Sequence, residues 1–218
     1  MEIKPITLNY LFGVNSYLLR TEEGCFLIDT GLAKKRGQLE EELEGAGCHP
    51  GGLKLIILTH GHTDHTGNAA YLRDKYGAKV AAHRGGSKMC ESGDMFINVK
   101  GGILIWLIGV LMKLLGLGDC DRFTPDIYLE DNQDLSPYGL DATVLHTPGH
   151  SDGSISVHTA EGDLFCGDLF NNNKKPEKAS LVQDAELLEA SVQKIRALKT
   201  STVYPGHGKP FTMDELAE

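Results

Sequence analysis

The sequence predicts an α+β fold in which two β-sheets pack face to face with helices on the outside. Three observations point there. Short strand-like segments cluster in both halves of the chain, with helical stretches between them. Leu53 to Thr59 is a continuous run rich in Leu and Ile, as expected of a strand buried on both faces. No low-complexity linker or repeat divides the 218 residues, so residues 1–218 read as one domain.

The elements follow in order. Ile3 to Asn9, Asn15 to Arg20 and Cys25 to Asp29 read as strands, with turns at Gly13 and Gly24. A helix is expected over about Lys34 to Glu44, where Leu39 and Leu43 stand four apart. After the Leu53 to Thr59 strand comes the segment THGHTDHTG. A helix from about Asn68 to Tyr76 and a strand from Ala78 to His83 follow. The region from Gly85 to Cys120 looks mainly helical. Strands resume at Ile127 to Glu130, Ala142 to His146, Ser154 to Thr159 and Asp163 to Cys166. Asp184 is a suitable N-cap for a helix reaching about Leu198. A short strand, Thr202 to Tyr204, then runs into PGHG.

Composition narrows the function classes. The formal charge of -9 argues against a broad phosphate-backbone footprint, so nucleic acid is not an expected partner. Cys25, Cys48, Cys90, Cys120 and Cys166 are odd in number and contain no CxxC pair, which speaks against a disulfide framework and for a reducing compartment. The first residues show no basic segment followed by an apolar run, so cytoplasm is the expected location.

The strongest chemical signal is His60-Gly61-His62-Thr63-Asp64-His65, which offers four candidate metal ligands in six residues. It follows a buried strand and precedes a helix. His60 and His62 alternate, so an extended backbone directs both imidazoles to one side. Asp64 and His65 follow where the chain turns and can aim at a neighbouring position. Imidazole nitrogen and carboxylate oxygen are good zinc donors. His150 in TPGHS, Asp168 in CGDLF and His207 in PGHG are expected at comparable strand ends. Each of these three is weak alone, and they gain weight together.

With LIDTG at residues 27–31, THGHTDHTG at 59–67, TPGH at 147–150, GDLF at 167–170 and PGHG at 205–208, the chain resembles the metallo-β-lactamase superfamily, on its glyoxalase II-like branch. The resemblance implies a four-layer αββα sandwich of two mixed β-sheets flanked by helices, here with an apolar helical insert at about 85–120. It implies that His60, His62 and His150 hold one metal ion and that Asp64, His65 and His207 hold a second, with Asp168 bridging the two. Asp29 would orient a ligand from behind. Classical zinc β-lactamases have a cysteine where Asp168 stands, so antibiotic cleavage is not expected.

The cofactor expected is a pair of divalent ions, zinc first, with iron, manganese or cobalt also suited to nitrogen and oxygen donors. Such a pair lowers the pKa of a shared water from about 15.7 to roughly 7 and so supplies hydroxide at neutral pH. The expected reaction is hydrolysis of an ester, thioester or related acyl compound, with Asp64 and Asp168 as the catalytic carboxylates. A thioester is favoured mildly, because a thiolate leaves without strong protonation and no general acid is evident. The alternative implied by the resemblance is a persulfide dioxygenase-like oxidoreductase with one iron held by two histidines and an aspartate. Glyoxalase II proper has a C-terminal helical extension; here only eleven residues follow His207, and that extension is not expected.

Other candidates carry less. Lys174, Lys175 and Lys178 could meet an anionic substrate but read better as a solvated loop. His83 could line the cleft but reads as structural, and His49, His146 and His158 have no ligand context. Cys166 reads as a small buried residue. Gly101 to Leu117 is apolar on every side if helical, and such a helix is expected to be buried. Four coverings are open: the chain's own core or a cap beside the cleft, a homodimer contact through 101–118, a monotopic membrane-surface contact and, last, a true span. A cap would favour a small-molecule substrate with an apolar portion.

Overall fold

A computed structural model describes residues 1–97, 102–118 and 120–216, so the expectations that fall on 98–101 and 119 lie outside the described residues. The first sheet holds β1 (Glu2–Asn9), β2 (Gly13–Thr21), β3 (Gly24–Ile28), β4 (Leu53–Leu58), β5 (Lys79–His83) and β6 (Ile127–Leu129) in that spatial order. β1, β2 and β3 pair antiparallel, and β3 to β6 pair parallel. The second sheet holds β7 (Ala142–His146), β8 (Ile155–Thr159), β9 (Leu164–Asn172), β10 (Glu177–Lys178) and β11 (Val203–Gly208). Its pairings are antiparallel except for β11 against β9, which is parallel. Both sheets are therefore mixed.

Between the parallel strands run α1 (Arg36–Gly45), the single turn α2 (Thr63–Thr66), α3 (Ala69–Tyr76), α4 (Ser87–Ser92) and α5 (Gly102–Leu114). α6 (Ala185–Arg196) precedes β11. Asp184 caps α6 as expected, its Oδ1 accepting from the backbone N–H of Glu186 and Leu187 at 3.0 Å each.

Side-chain alternation builds the layers. Along β3 and β4, Phe26, Ile28, Leu55 and Ile57 face a core shared with Val144, Val157 and Phe165 of the second sheet. Their neighbours Leu27, Ile56 and Leu58 point the other way, against Leu39 and Leu43 of α1 and Leu72 and Tyr76 of α3. On the far side, Leu164, Phe170 and Val203 pack under Leu188, Val192 and Ile195 of α6. Three apolar clusters separate four layers, helix, sheet, sheet and helix. The two-faced burial of β4 is what the consecutive apolar residues Leu55 to Leu58 require, with Lys54 alone exposed near the start of the strand.

Hydrogen bonds also join the sheets near the end of β11. Asn15 Nδ2 donates to the carbonyls of Pro205 (2.9 Å) and Gly208 (2.7 Å), and Tyr17 Oη donates to Pro205 O at 2.6 Å. Burial pushes the Tyr17 phenol well above its ordinary pKa, so it stays a donor.

Two expectations are corrected. Asp168 and His207 are expected at the ends of strands that stop at Cys166 and Tyr204, but both lie inside longer strands, β9 and β11. Gly167 and the Pro205-Gly206 pair lie within these paired strands, whose pairing shifts register there without ending. Of the four coverings left open for α5, full burial in the chain's own core does not hold for the described side chains. Ile103, Trp106, Leu107, Leu111 and Leu114 are exposed. Among the described residues, no helix is long and apolar enough to cross a membrane.

Candidate metal centre

The centre forms where β4, β7, β9 and β11 deliver their ends and bends to one edge of the sandwich. His60 leaves β4, and His62 is the N-cap residue of α2, which carries Asp64 and His65. His150 follows β7. Asp168 enters from a bulge. β11 pairs Pro205 with Gly167 and then His207 with Asn171, so Gly206 alone faces residues 168–170. Bulges bend a strand and re-aim side chains, and they recur beside functional sites. The crossing has no room to spare: a Cβ on Gly206 would stand 2.3 Å from Asp168 Oδ1 and 2.7 Å from His65 Cε1.

All seven side chains singled out in the sequence converge. Three groups have candidate ligand atoms within 4.8 Å of one another: His60, His62 and His150; His60, His65 and Asp168; and Asp64, His65 and His207. Asp168 links the first and third groups, with its oxygens 3.4 Å from His65 Nε2, 3.3 Å from His207 Nε2 and 3.6 Å from His150 Nε2. Asp64 Oδ2 lies 3.6 Å from His207 Nε2 and 3.8 Å from His65 Nε2. His49, His83, His146 and His158 join none of these groups. Lys178 pairs with Glu189 at 2.8 Å instead of standing free.

The outer nitrogens of four histidines are already committed. His207 Nδ1 lies 2.8 Å from Gly13 O, and His150 Nδ1 lies 2.7 Å from Leu181 O. A carbonyl only accepts, so both Nδ1 atoms carry the proton. His65 Nδ1 donates to Asp29 Oδ2 at 2.8 Å. Thr59 Oγ1 gives its own proton to Asp29 Oδ2 (2.7 Å) and so accepts from His60 Nδ1 at 3.1 Å. Each pairing leaves Nε2 directed inward, the arrangement that outer partners impose on ligating histidines. His62 is turned the other way and presents Nδ1, 3.1 Å from His150 Nε2.

Asp29 anchors this outer ring. Besides His65 and the Thr59 hydroxyl, it accepts from the Thr59 backbone N–H at 2.8 Å. Its φ is 56°, a left-handed conformation uncommon for a residue other than glycine. Such strain persists when surrounding contacts over-determine it, and it clusters at functional sites. Sequence reasoning missed Thr59, Gly13 and Leu181. Thr59, a hydroxyl beside the first histidine of the motif, was findable. The two carbonyls have no signature in residue type.

A cation suits these residues. His60 Nε2, His65 Nε2 and Asp168 Oδ1 are buried without a hydrogen-bond partner, a costly state that a bound ion relieves. Burial, with His65 and His62 nearby, drives the His60 imidazole well below its ordinary pKa, and burial beside His150 takes His62 down to about 4. Those rings are neutral with lone pairs available. Burial also opposes charge on His65 and His207, but carboxylates override it. Asp168, Asp64 and Asp29 lift His65 to about 10, and Asp168 with Asp64 lifts His207 to about 9. Asp168 itself, despite burial, is held well below the usual carboxylate range by His207, His65 and His150. The centre thus draws positive charge onto the inward atoms of its own histidines.

This combination, a four-layer αββα sandwich with a buried His/Asp cluster at one sheet edge, defines a class of metal-dependent proteins. Residues 9–207 match the family model of the metallo-beta-lactamase superfamily, and the chain belongs to that superfamily. It is 31% identical to the hydroxyacylglutathione hydrolase GloC of Haemophilus influenzae, covering 78% of this chain and 71% of that protein. It is 26% identical to the acyl-coenzyme A thioesterase MBLAC2 of Bos taurus, over 93% and 75% of the two chains. It spans 59% of the length of a 27% identical beta-lactamase-like protein 2 homolog of Drosophila melanogaster, which matches 91% of this chain. Among solved structures it is similar to TTHA1623 in a di-iron-bound form, with 28% identity, coverage of 97% and 95% and a TM-score of 0.74. It is also similar to the BLEG-1 B3 metallo-beta-lactamase, with 27% identity, coverage of 98% and 95% and a TM-score of 0.78.

Proposed function

We propose that this chain is a dinuclear metal-dependent hydrolase of thioesters or related acyl esters. The observation that carries the proposal is the convergence of seven donors into three overlapping groups, with buried inward atoms left unpaired. His60, His62 and His150 would hold one ion, Asp64, His65 and His207 the other, and Asp168 would serve both. When bound, such a pair supplies Lewis acidity and activates water near neutral pH, zinc being the first choice and iron or manganese compatible with the same donors.

The chain's own groups supply the rest. Asp64, half-buried, would orient the attacking water and accept its proton. The outer bonds from Asp29, Thr59, Gly13 and Leu181 keep the imidazoles rigid, so little reorganisation accompanies the reaction. Water adds to the acyl carbon, the carbon–sulfur bond breaks, and the products are a carboxylate and a thiol. A thiolate leaves without help from a strong acid, and no side chain here is assigned as one. The thioesterase and hydroxyacylglutathione hydrolase relatives support this substrate class.

The test pairs metal quantification, on protein purified without added metal, with turnover of thioester, lactone and phosphodiester substrates. Two ions per chain with thioester turnover is the expected result. One iron per chain, with oxygen consumed on a persulfide substrate, would replace this reading with the dioxygenase alternative.

A further inference from the structure

Helix α5 presents apolar side chains to solvent over an unusual width. At about 100° per residue, the exposed positions Trp106, Val110, Ile103, Leu107, Leu111 and Ile108 span roughly 200° of its circumference. Trp106 is 63% exposed and Leu114, inside the same arc, 79%. A helix packed on a protein core needs a stripe of about 100°. An arc of twice that width suits immersion in a fluid apolar medium better than one flat protein face. The tip joining β1 to β2 continues the surface with Tyr10, Leu11 and Phe12, all exposed.

The two pieces are fastened together by a cation. Lys34 Nζ donates to Leu115 O (3.2 Å) and to Tyr10 Oη (3.3 Å), and lies over the Tyr10 ring. Gly116 makes room for it. Its φ is 67°, and a Cβ there would stand 1.9 Å from Lys34 Cε. Lys113 lies in the last turn of α5, and the helix contains no acidic residue. In a chain of net charge -9, Lys34, Lys113 and Arg122 thus stand beside this apolar surface, against the acidic neighbour Asp94. Apolar bodies, interfacial aromatics such as Trp106 and Tyr10, and flanking lysines match the interface of an anionic bilayer.

We propose that α5 and the β1–β2 tip form a docking surface for an anionic lipid bilayer, with the helix lying in the plane of the interface. Docking there would bring the metal centre close to the lipid. Thr63 Oγ1, between His62 and Asp64, donates to Leu117 O at 2.6 Å just beyond the helix, and the Phe12 ring meets His207 edge-on at 5.6 Å.

Trp106 is the only tryptophan, so its emission reports the surface directly. The full chain is floated with vesicles of phosphatidylcholine alone or of phosphatidylcholine with phosphatidylglycerol, while fluorescence is recorded. The expected result is flotation with a blue-shifted Trp106, about tenfold stronger on the anionic vesicles. The double variant Leu107→Glu, Leu111→Glu should lose at least about tenfold in binding. Its circular dichroism and metal content should be unchanged, since both side chains are exposed. Protein left in the soluble fraction with both vesicle types would overturn the proposal. So would a dimeric native mass with Trp106 already shifted in the absence of lipid, which would assign the surface to a second copy of the chain. Neither readout depends on hydrolysis.

Discussion

Asp29 Oδ2 accepts a hydrogen bond from His65 Nδ1 at 2.8 Å, and through it β3 sets the direction of a ring that stands on α2. The same oxygen accepts from the Thr59 hydroxyl, which supports His60. One carboxylate thus orients two histidines while making no direct contribution to the inward cluster.

Asp29→Asn tests that relationship. An amide nitrogen in place of Oδ2 donates instead of accepting, which forces His65 to carry its proton on the inward nitrogen. The left-handed backbone at position 29 is one that asparagine tolerates, so the fold should survive. Metal affinity should fall by about 10–100-fold. Titration of metal-free protein reads this, and unchanged affinity would remove Asp29 from the outer ring.

Asp168→Ala removes the carboxylate that lies within 3.6 Å of three histidines. Bound metal should drop below two ions per chain, and turnover should fall by more than about 100-fold. Near-normal activity would contradict a bridging role.

Two glycine substitutions should have opposite signs. Gly206→Ala drives a methyl group into Asp168 and His65, costing about 1–3 kcal/mol together with loss of metal. Gly37→Ala, in α1 and with nothing within 4 Å of its added Cβ, should raise stability by about 0.5–1 kcal/mol. Denaturant melts of the two variants beside the parent check the contrast.

Metal removal should be visible in the melting temperature. An ion present at about 100 times its Kd stabilises the folded state by about 2.7 kcal/mol. For a chain of this length that corresponds to roughly 5–10 °C. Chelation followed by re-addition of zinc, manganese or iron should lower and then restore Tm. A Tm indifferent to chelator would mean the cluster binds no ion worth the name.

Much of the architecture was legible locally. The Leu53 to Leu58 run announced a strand covered on both faces, because four consecutive apolar residues, Leu55 to Leu58, place apolar side chains on both sides of a strand; only Lys54, near its start, reaches solvent. Asp184 announced the start of α6, because a cap is satisfied within three residues. Of the candidate centre, the cluster His60, His62, Asp64 and His65 was legible from residue type and spacing, whereas His150, Asp168 and His207, each weak alone, were singled out through the resemblance of their motifs to the metallo-β-lactamase superfamily. Tertiary structure decided the rest. The bulge that admits Asp168 depends on which residues of β9 and β11 face each other, and Gly206 reads as a turn until that register exists. Gly13 O and Leu181 O hold two imidazoles through backbone atoms that every residue type carries. The exposure of α5 was not legible either. Apolar composition says that a helix needs covering, but only the packed chain shows that its own core leaves that surface bare.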